Sequence, residues 1–307
     1  MSNIGETLIP KAKKSLEISS KENKAIEVYK ELINLYPNNI DGWRDISAMY
    51  YSIGDFDNAI PSSRKVLSLS NSETYDIENH LTRLTLISRY SFSEPNMYLD
   101  EQKKVAYQIN TITSFKDLFL EIEKCNLSLI QIFNNDNKKL NKIFNSFANT
   151  CIRFKYYEKA INALNKVIEL QDYGRVKIHT VYNRLSLAFV GLKKYDLALE
   201  NIDIALNNGL EDFKLISKAE IYKQKGDLKK FEKTLTDLLS KIQIKLMEKP
   251  EPAYIFQKIS VLKKLEDKEK LAVVIKDFDL IKNNNEYTKA KKLEAEKDIK
   301  NYRQHGV

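Results

Sequence analysis

The sequence predicts an all-α fold built from antiparallel helical hairpins, and three observations carry that prediction. Apolar residues recur at the i, i+3, i+4, i+7 spacing of amphipathic helices along most of the chain. Only 8 Gly and 6 Pro occur among 307 residues, and the Gly are scattered singly, which starves β-hairpins and phosphate loops alike. Paired helical stripes then repeat at a period of about 34 residues, the unit length of several helical arrays.

The clearest unit begins at Trp43. Its stripe runs through Ile46, Met49, Tyr50 and Ile53, and Gly54 follows where a left-handed residue costs least. Asp55 can cap a second helix with the stripe Phe56, Ala59, Ile60, Val66, Leu67 and Leu69, and the short link forces the two helices antiparallel. The order W-x2-I-S-x2-Y-x3-G-D-F-x2-A-I resembles the tetratricopeptide repeat, which sets a bulky residue, Leu-Gly, Tyr, Gly and Ala at those offsets. Ser47 stands where that repeat has Gly. The resemblance implies a right-handed superhelical solenoid in which Trp43 and Tyr50 fill the hairpin interior and Ala59 is small because two helices touch there.

The spacing recurs on both sides. Ala25, Tyr29 and Pro37 mark an earlier, weaker unit over 6–39. Phe144, Phe147, Cys151, Tyr157, Ala160, Leu164 and Val167 form another, and Tyr182, Leu185, Phe189, Tyr195, Ala198, Ile202 and Ala205 form the one that fits best. Leu215, Ala219, Tyr222, Gly226, Leu228, Phe231 and Leu235 continue it, with Phe231 in the place of Ala. A degenerate pair, Phe256 to Leu265 and then Leu271, Ala272, Ile275 and Phe278, follows Pro250 and Pro252. Residues 74–138 carry helical stripes, but the turn at 91–96 lacks the signature, so they read as a degenerate hairpin plus an inserted helix. The helix expected over 286–303 has Glu and Lys at i, i+4 and suits the polar cap that an array needs. The expected organisation is therefore 1–73, hairpins; 74–138, the irregular insert; 139–248, hairpins; and 249–307, the degenerate pair and cap.

Composition narrows the function. The net charge is +8, and residues 214–303 hold about 23 basic and about 15 acidic side chains, which is the whole excess. No apolar run of roughly 18 residues spans a bilayer, and lysines interrupt the first 20 residues, so no membrane association and a cytoplasmic location are expected. Cys125 and Cys151 show neither a CxxC nor a nearby His, and His80, His179 and His305 are dispersed. No metal, no cofactor and no catalytic residue is expected, and the chain reads as a non-enzyme.

What remains is a surface. In stacked hairpins the first helices line a concave face, and the positions offset from the core stripe face outward there. These are Lys142, Asn145, Asn149 and Arg153 in one unit, Thr180, Asn183 and Arg184 in the next, and Glu220, Lys223 and Gln224 in the third. The resemblance implies a groove that holds an extended peptide or a partner helix, with Asn bonding peptide backbone and Arg or Lys meeting carboxylates. The family's clamp for chaperone tails is not matched, since the first repeat offers Pro10 and Lys14 and the second Arg44 and Ala48. The leading expectation is a protein-binding adaptor or scaffold. The alternative, a helical-repeat nucleic-acid binder, rests on the Lys-rich last third.

Overall fold

A computed structural model describes residues 22–92, 114–171, 176–281 and 285–305. The described residues form fourteen α-helices and two 3-10 segments, with no strand among them. The chain divides into two compact units, Met1–Val176 and Lys177–Val307. The first holds α1 (Glu22–Leu35), α2 (Ile40–Ser52), α3 (Phe56–Leu69), α4 (Thr74–Phe92), α5 (Phe115–Ile132), α6 (Asn137–Arg153) and α7 (Tyr157–Leu170). The second holds α8 (Ile178–Gly191), α9 (Tyr195–Asn207), α10 (Leu215–Lys225), α11 (Leu228–Glu248), α12 (Pro252–Lys264), α13 (Lys268–Val273) and α14 (Glu286–His305). The all-helical class expected from the periodicity is the class observed. The first helix expected before residue 22, most of the turn at 91–96, and two of the three Asn residues at 283–285 lie outside the described residues.

One turn is used five times. The first helix of each pair ends on a left-handed residue, Gly54, Lys155, Lys193, Gly226 or Glu266, with φ from 55° to 88°. Its N–H bonds the carbonyl three residues back, and the following N–H bonds the carbonyl five back, as Asp55 does to Tyr50 at 2.8 Å and Lys194 to Phe189 at 2.9 Å. Two carbonyls that a helix end would leave bare are thereby satisfied, and the chain reverses in a few residues. Asp55, Asp227 and Asp267 then cap the returning helices through their side chains, each satisfying an orphan N–H.

The reversal brings helices close at small residues. Ala59, Ala160 and Ala198 are fully buried. Ser47 Oγ donates to the Ala59 carbonyl at 3.0 Å, and Ser186 Oγ donates to the Ala198 carbonyl at 2.8 Å. A short hydroxyl on one helix thus reaches the backbone of the other, which only closely packed helices allow. In the α10–α11 pair the alanine's place is taken by Phe231, buried in one cluster with Ala219 of the facing helix.

Two details depart from the sequence reading. Trp43 is half-buried, packed against the core of α1–α3, because its indole N–H has to find a partner and does so at the Pro37 carbonyl, 2.9 Å away, at the core's edge. The last hairpin's second helix runs only to Val273 before tightening into a 3-10 segment, Val274–Leu280. The run Val273, Val274, Ile275 is β-branched and holds an α-helix poorly. The helix α14 closes the second unit through buried Thr288, Ala295 and Ile299, while Tyr302 Oη donates to the Lys263 carbonyl at 3.1 Å.

The degenerate stretch contributes a packed pair, α4 and α5. Ile77 and Leu84 of α4 and Leu118, Ile122 and Leu129 of α5 share a core cluster with Phe56 and Ile60 of α3.

Candidate functional site

The ten residues read from the sequence as a binding strip divide between the units. Four lie on α6. Lys142 is exposed and has no partner among the described residues, and Asn145 and Asn149 are half-buried. Arg153 is engaged in the fold, since its Nη1 donates to Ser88 Oγ at 2.7 Å and Ser88 is fully buried on α4. The other six lie on α8 and α10. Thr180 Oγ1 donates to the Lys177 carbonyl at 2.6 Å in the first turn of α8. Asn183 and Arg184 are half-buried, and burial lowers the Arg184 pKa from its ordinary value. Glu220 pairs with Lys264 of α12. The Lys223 ammonium lies 5.3 Å from the centre of the Phe231 ring, and Gln224 is exposed.

Close to the first group lies a feature the sequence did not reveal. A cleft of about 500 Å³ opens on the first unit, with Leu81, Leu86, Leu129, Phe133 and Ile143 as its apolar lining. Its two long walls are α4 and α6, and the end of α5 closes the floor. Lys139 and Lys142 stand on the α6 wall and Glu78 on the α4 wall. The Lys139 ammonium is 4.0 Å from the Phe133 ring centre and 3.8 Å from Asp136. Lys142 alone belongs to both the strip and the cleft. Leu86 lies off the core stripe of α4, so helical periodicity gave no signal for it.

A family model of the tetratricopeptide repeat matches residues 142–172, from early in α6 through the Lys155 turn and α7. The chain carries a tetratricopeptide repeat at these residues. Among solved structures, a tetratricopeptide repeat protein from Parabacteroides merdae aligns at 14% identity over 95% of this chain and 98% of its own, with a TM-score of 0.50. The C-terminal part of a tetratricopeptide repeat-containing protein from Cytophaga hutchinsonii aligns at 12% identity over 92% of this chain and 98% of its own, with a TM-score of 0.49. A MamA protein aligns at 17% identity over 68% of this chain and 93% of its own, with a TM-score of 0.46. At these identities the likeness concerns the fold. No curated protein matches the chain significantly.

One cluster in this repeat protein has the residue types of a hydrolytic triad. Ser63 Oγ lies 2.7 Å from His80 Nδ1, and His80 Nε2 lies 2.8 Å from Glu121 Oε1. The order of contacts is suggestive, but the setting is not. Ser63 is 3% exposed and His80 1%, and the cavity beside Ser63 measures about 20 Å³, room for one water. Glu121 also accepts Nε and Nη2 of Arg64 at 2.7 and 2.6 Å. The cluster ties α3, α4 and α5 together, and no substrate reaches its hydroxyl. Burial pushes the Cys125 and Cys151 thiols up to about 12, the wrong direction for a nucleophile. Among the described residues no group of His, Cys, Asp and Glu gathers as a metal site, and no helix is long and apolar enough to cross a membrane.

Proposed function

We propose that this tetratricopeptide-repeat chain is a non-catalytic, cytoplasmic adaptor that holds a segment of a protein partner, with the cleft of the first unit as its docking surface. The observation that carries the reading is the cleft's construction. About 500 Å³ of apolar-floored space falls within the range of preformed binding sites, roughly 300–1,000 Å³, and it lies between walls that carry charge. Lys142, Asn145 and Asn149 extend this surface along α6. Thr180, Asn183, Arg184, Glu220, Lys223 and Gln224 are the corresponding contacts proposed for the second unit.

The test is to obstruct the cleft without touching the core. Ser146 is exposed and lines the cleft, so Ser146→Trp should fill it while the far-UV circular dichroism stays unchanged. Partner capture by the full chain should fall at least tenfold in the variant, and it should persist in a Lys276→Ala control. Equal capture by Ser146→Trp would sink the assignment of this cleft.

A further inference from the structure

We infer that the segment seated in this cleft is an amphipathic α-helix carrying an acidic residue beside its apolar face, an inference that rests on the adaptor reading above. Backbone accounting comes first. An extended segment brings an unpaired N–H and C=O at every residue, and a groove that reads it has to offer side-chain amides or an open strand edge. Among the described residues lining the cleft the one side-chain amide is Asn126, which is buried and donates to the Ile122 carbonyl at 2.8 Å. Thr82 Oγ1 is likewise committed, donating to the Glu78 carbonyl at 2.8 Å. A helix pairs its own backbone. It asks only for an apolar floor on which side chains at i, i+3, i+4 and i+7 can settle, and Leu81, Leu129, Phe133 and Ile143 supply one.

Charge then orients the guest. The two walls differ in sign, with Lys139 and Lys142 on α6 and Glu78 on α4. Lys139 is already held near Asp136 and against the Phe133 ring, whereas Lys142 is exposed and has no partner among the described residues. A carboxylate on the flank of the bound helix meets Lys142, and a basic flank there would be repelled. The same helix turned about its axis would set its acid against Glu78, so the sign pattern selects one rotation. This differs from the backbone-reading Asn strip that the sequence suggested, because the cleft recognises side chains.

The experiment uses two phage-displayed libraries of segments about 18 residues long. One carries helix formers with apolar residues at i, i+3, i+4 and i+7, and the other has the same composition interrupted by two prolines. The full chain should select binders from the helical library alone. Synthetic helical probes with Glu at the flanking position should bind roughly fivefold tighter than those with Lys, the scale of one partly exposed ion pair, and Lys142→Glu should reverse the order. Ser146→Trp and Thr82→Trp, two independent obstructions at exposed positions, should both abolish binding. Proline-bearing segments that bind, and are blocked by the obstructions, would overturn the helix while leaving the adaptor reading standing. Binding indifferent to both obstructions would remove the cleft from the adaptor reading altogether, and equal affinity for Glu and Lys probes would remove the acidic anchor.

Discussion

Glu121 sits between a guanidinium and an imidazole, and the balance of forces on its carboxyl yields a pH prediction. Burial raises the carboxyl pKa, but the hydrogen bonds from Arg64 and His80 outweigh burial and hold it at about 2. An unfolded chain binds that proton at the ordinary value of 4.5. The folded value is depressed, so the stabilisation is complete above about 4.5 and is lost as pH falls towards about 2. Urea titrations at pH 6 and pH 3 should show a loss on the order of 2 kcal/mol from this carboxylate. In Glu121→Gln that part of the loss should vanish, and an unchanged pH dependence would count against the brace. A second residue-scale expectation concerns Ala198, which is fully buried and whose carbonyl accepts from Ser186. Ala198→Leu should overpack the α8–α9 contact by roughly 1–3 kcal/mol and lower Tm, whereas Ala272→Leu, at an exposed position, should not. The buried alanines were legible in the sequence because smallness recurs there at a fixed offset from the turn. The Arg153 bond to Ser88 was not, since its partner lies 65 residues away in a stretch without repeat signature.

Hairpin turns set the geometry of five helix pairs, and the sequence names the left-handed residue itself only where it is Gly, the other turns being placed by the spacing of the flanking stripes. Gly54 and Gly226 announce themselves. Lys155, Lys193 and Glu266 adopt the same geometry with φ of 63°, 58° and 55°, and each pays roughly 1 kcal/mol in backbone strain that a glycine would avoid. Lys193→Gly should therefore stabilise the second unit by about 0.5–1 kcal/mol. Gly54→Ala should have the opposite sign. An added Cβ there meets nothing within 4 Å, so its cost, about 1 kcal/mol, is purely conformational. Denaturant midpoints at constant m-value read both changes, and shifts of the same sign would contradict the turn assignment. The pairs α2–α3, α6–α7, α8–α9 and α10–α11 were visible from periodicity plus these turns. The α4–α5 pair lacks that turn signature, and its cleft arises from helices distant in sequence, so no local pattern marked it. The late switch from α13 to a 3-10 segment reflects a β-branched run whose effect the helical stripe of Leu271, Ile275 and Phe278 concealed.

At the scale of the whole molecule the excess positive charge was placed correctly by counting, but its use depends on pairing that counting does not reveal. In the second unit Lys218 pairs with Asp203, Lys225 with Asp196, Lys241 and Lys245 with Asp212, and Lys258 with Asp277. On α14, Lys289, Lys291 and Lys292, the cations a polyanion would need, lie against Glu286, Glu294 and Asp279. Alternating charges cancel within a Debye length of about 8 Å at physiological salt, so the local field at these lysines is much weaker than the about 23 basic side chains of residues 214–303 would give if unpaired. A single-stranded nucleic acid binder releases about 0.7 counterions per phosphate neutralised, and its log–log salt slope counts the free cations it commits. Fluorescence anisotropy of a labelled single-stranded RNA should therefore show weak retention at about 50 mM salt and essentially none at about 200 mM, with a slope of only one or two units. Neutralising Lys289, Lys291 and Lys292 together should change it little. Tight binding at physiological salt with a slope of several units, abolished by those three substitutions, would reverse the choice between adaptor and nucleic-acid binder. Helical peptide held on an apolar floor should survive the same salt step, because burying Leu81, Leu129, Phe133 and Ile143 releases no counterions.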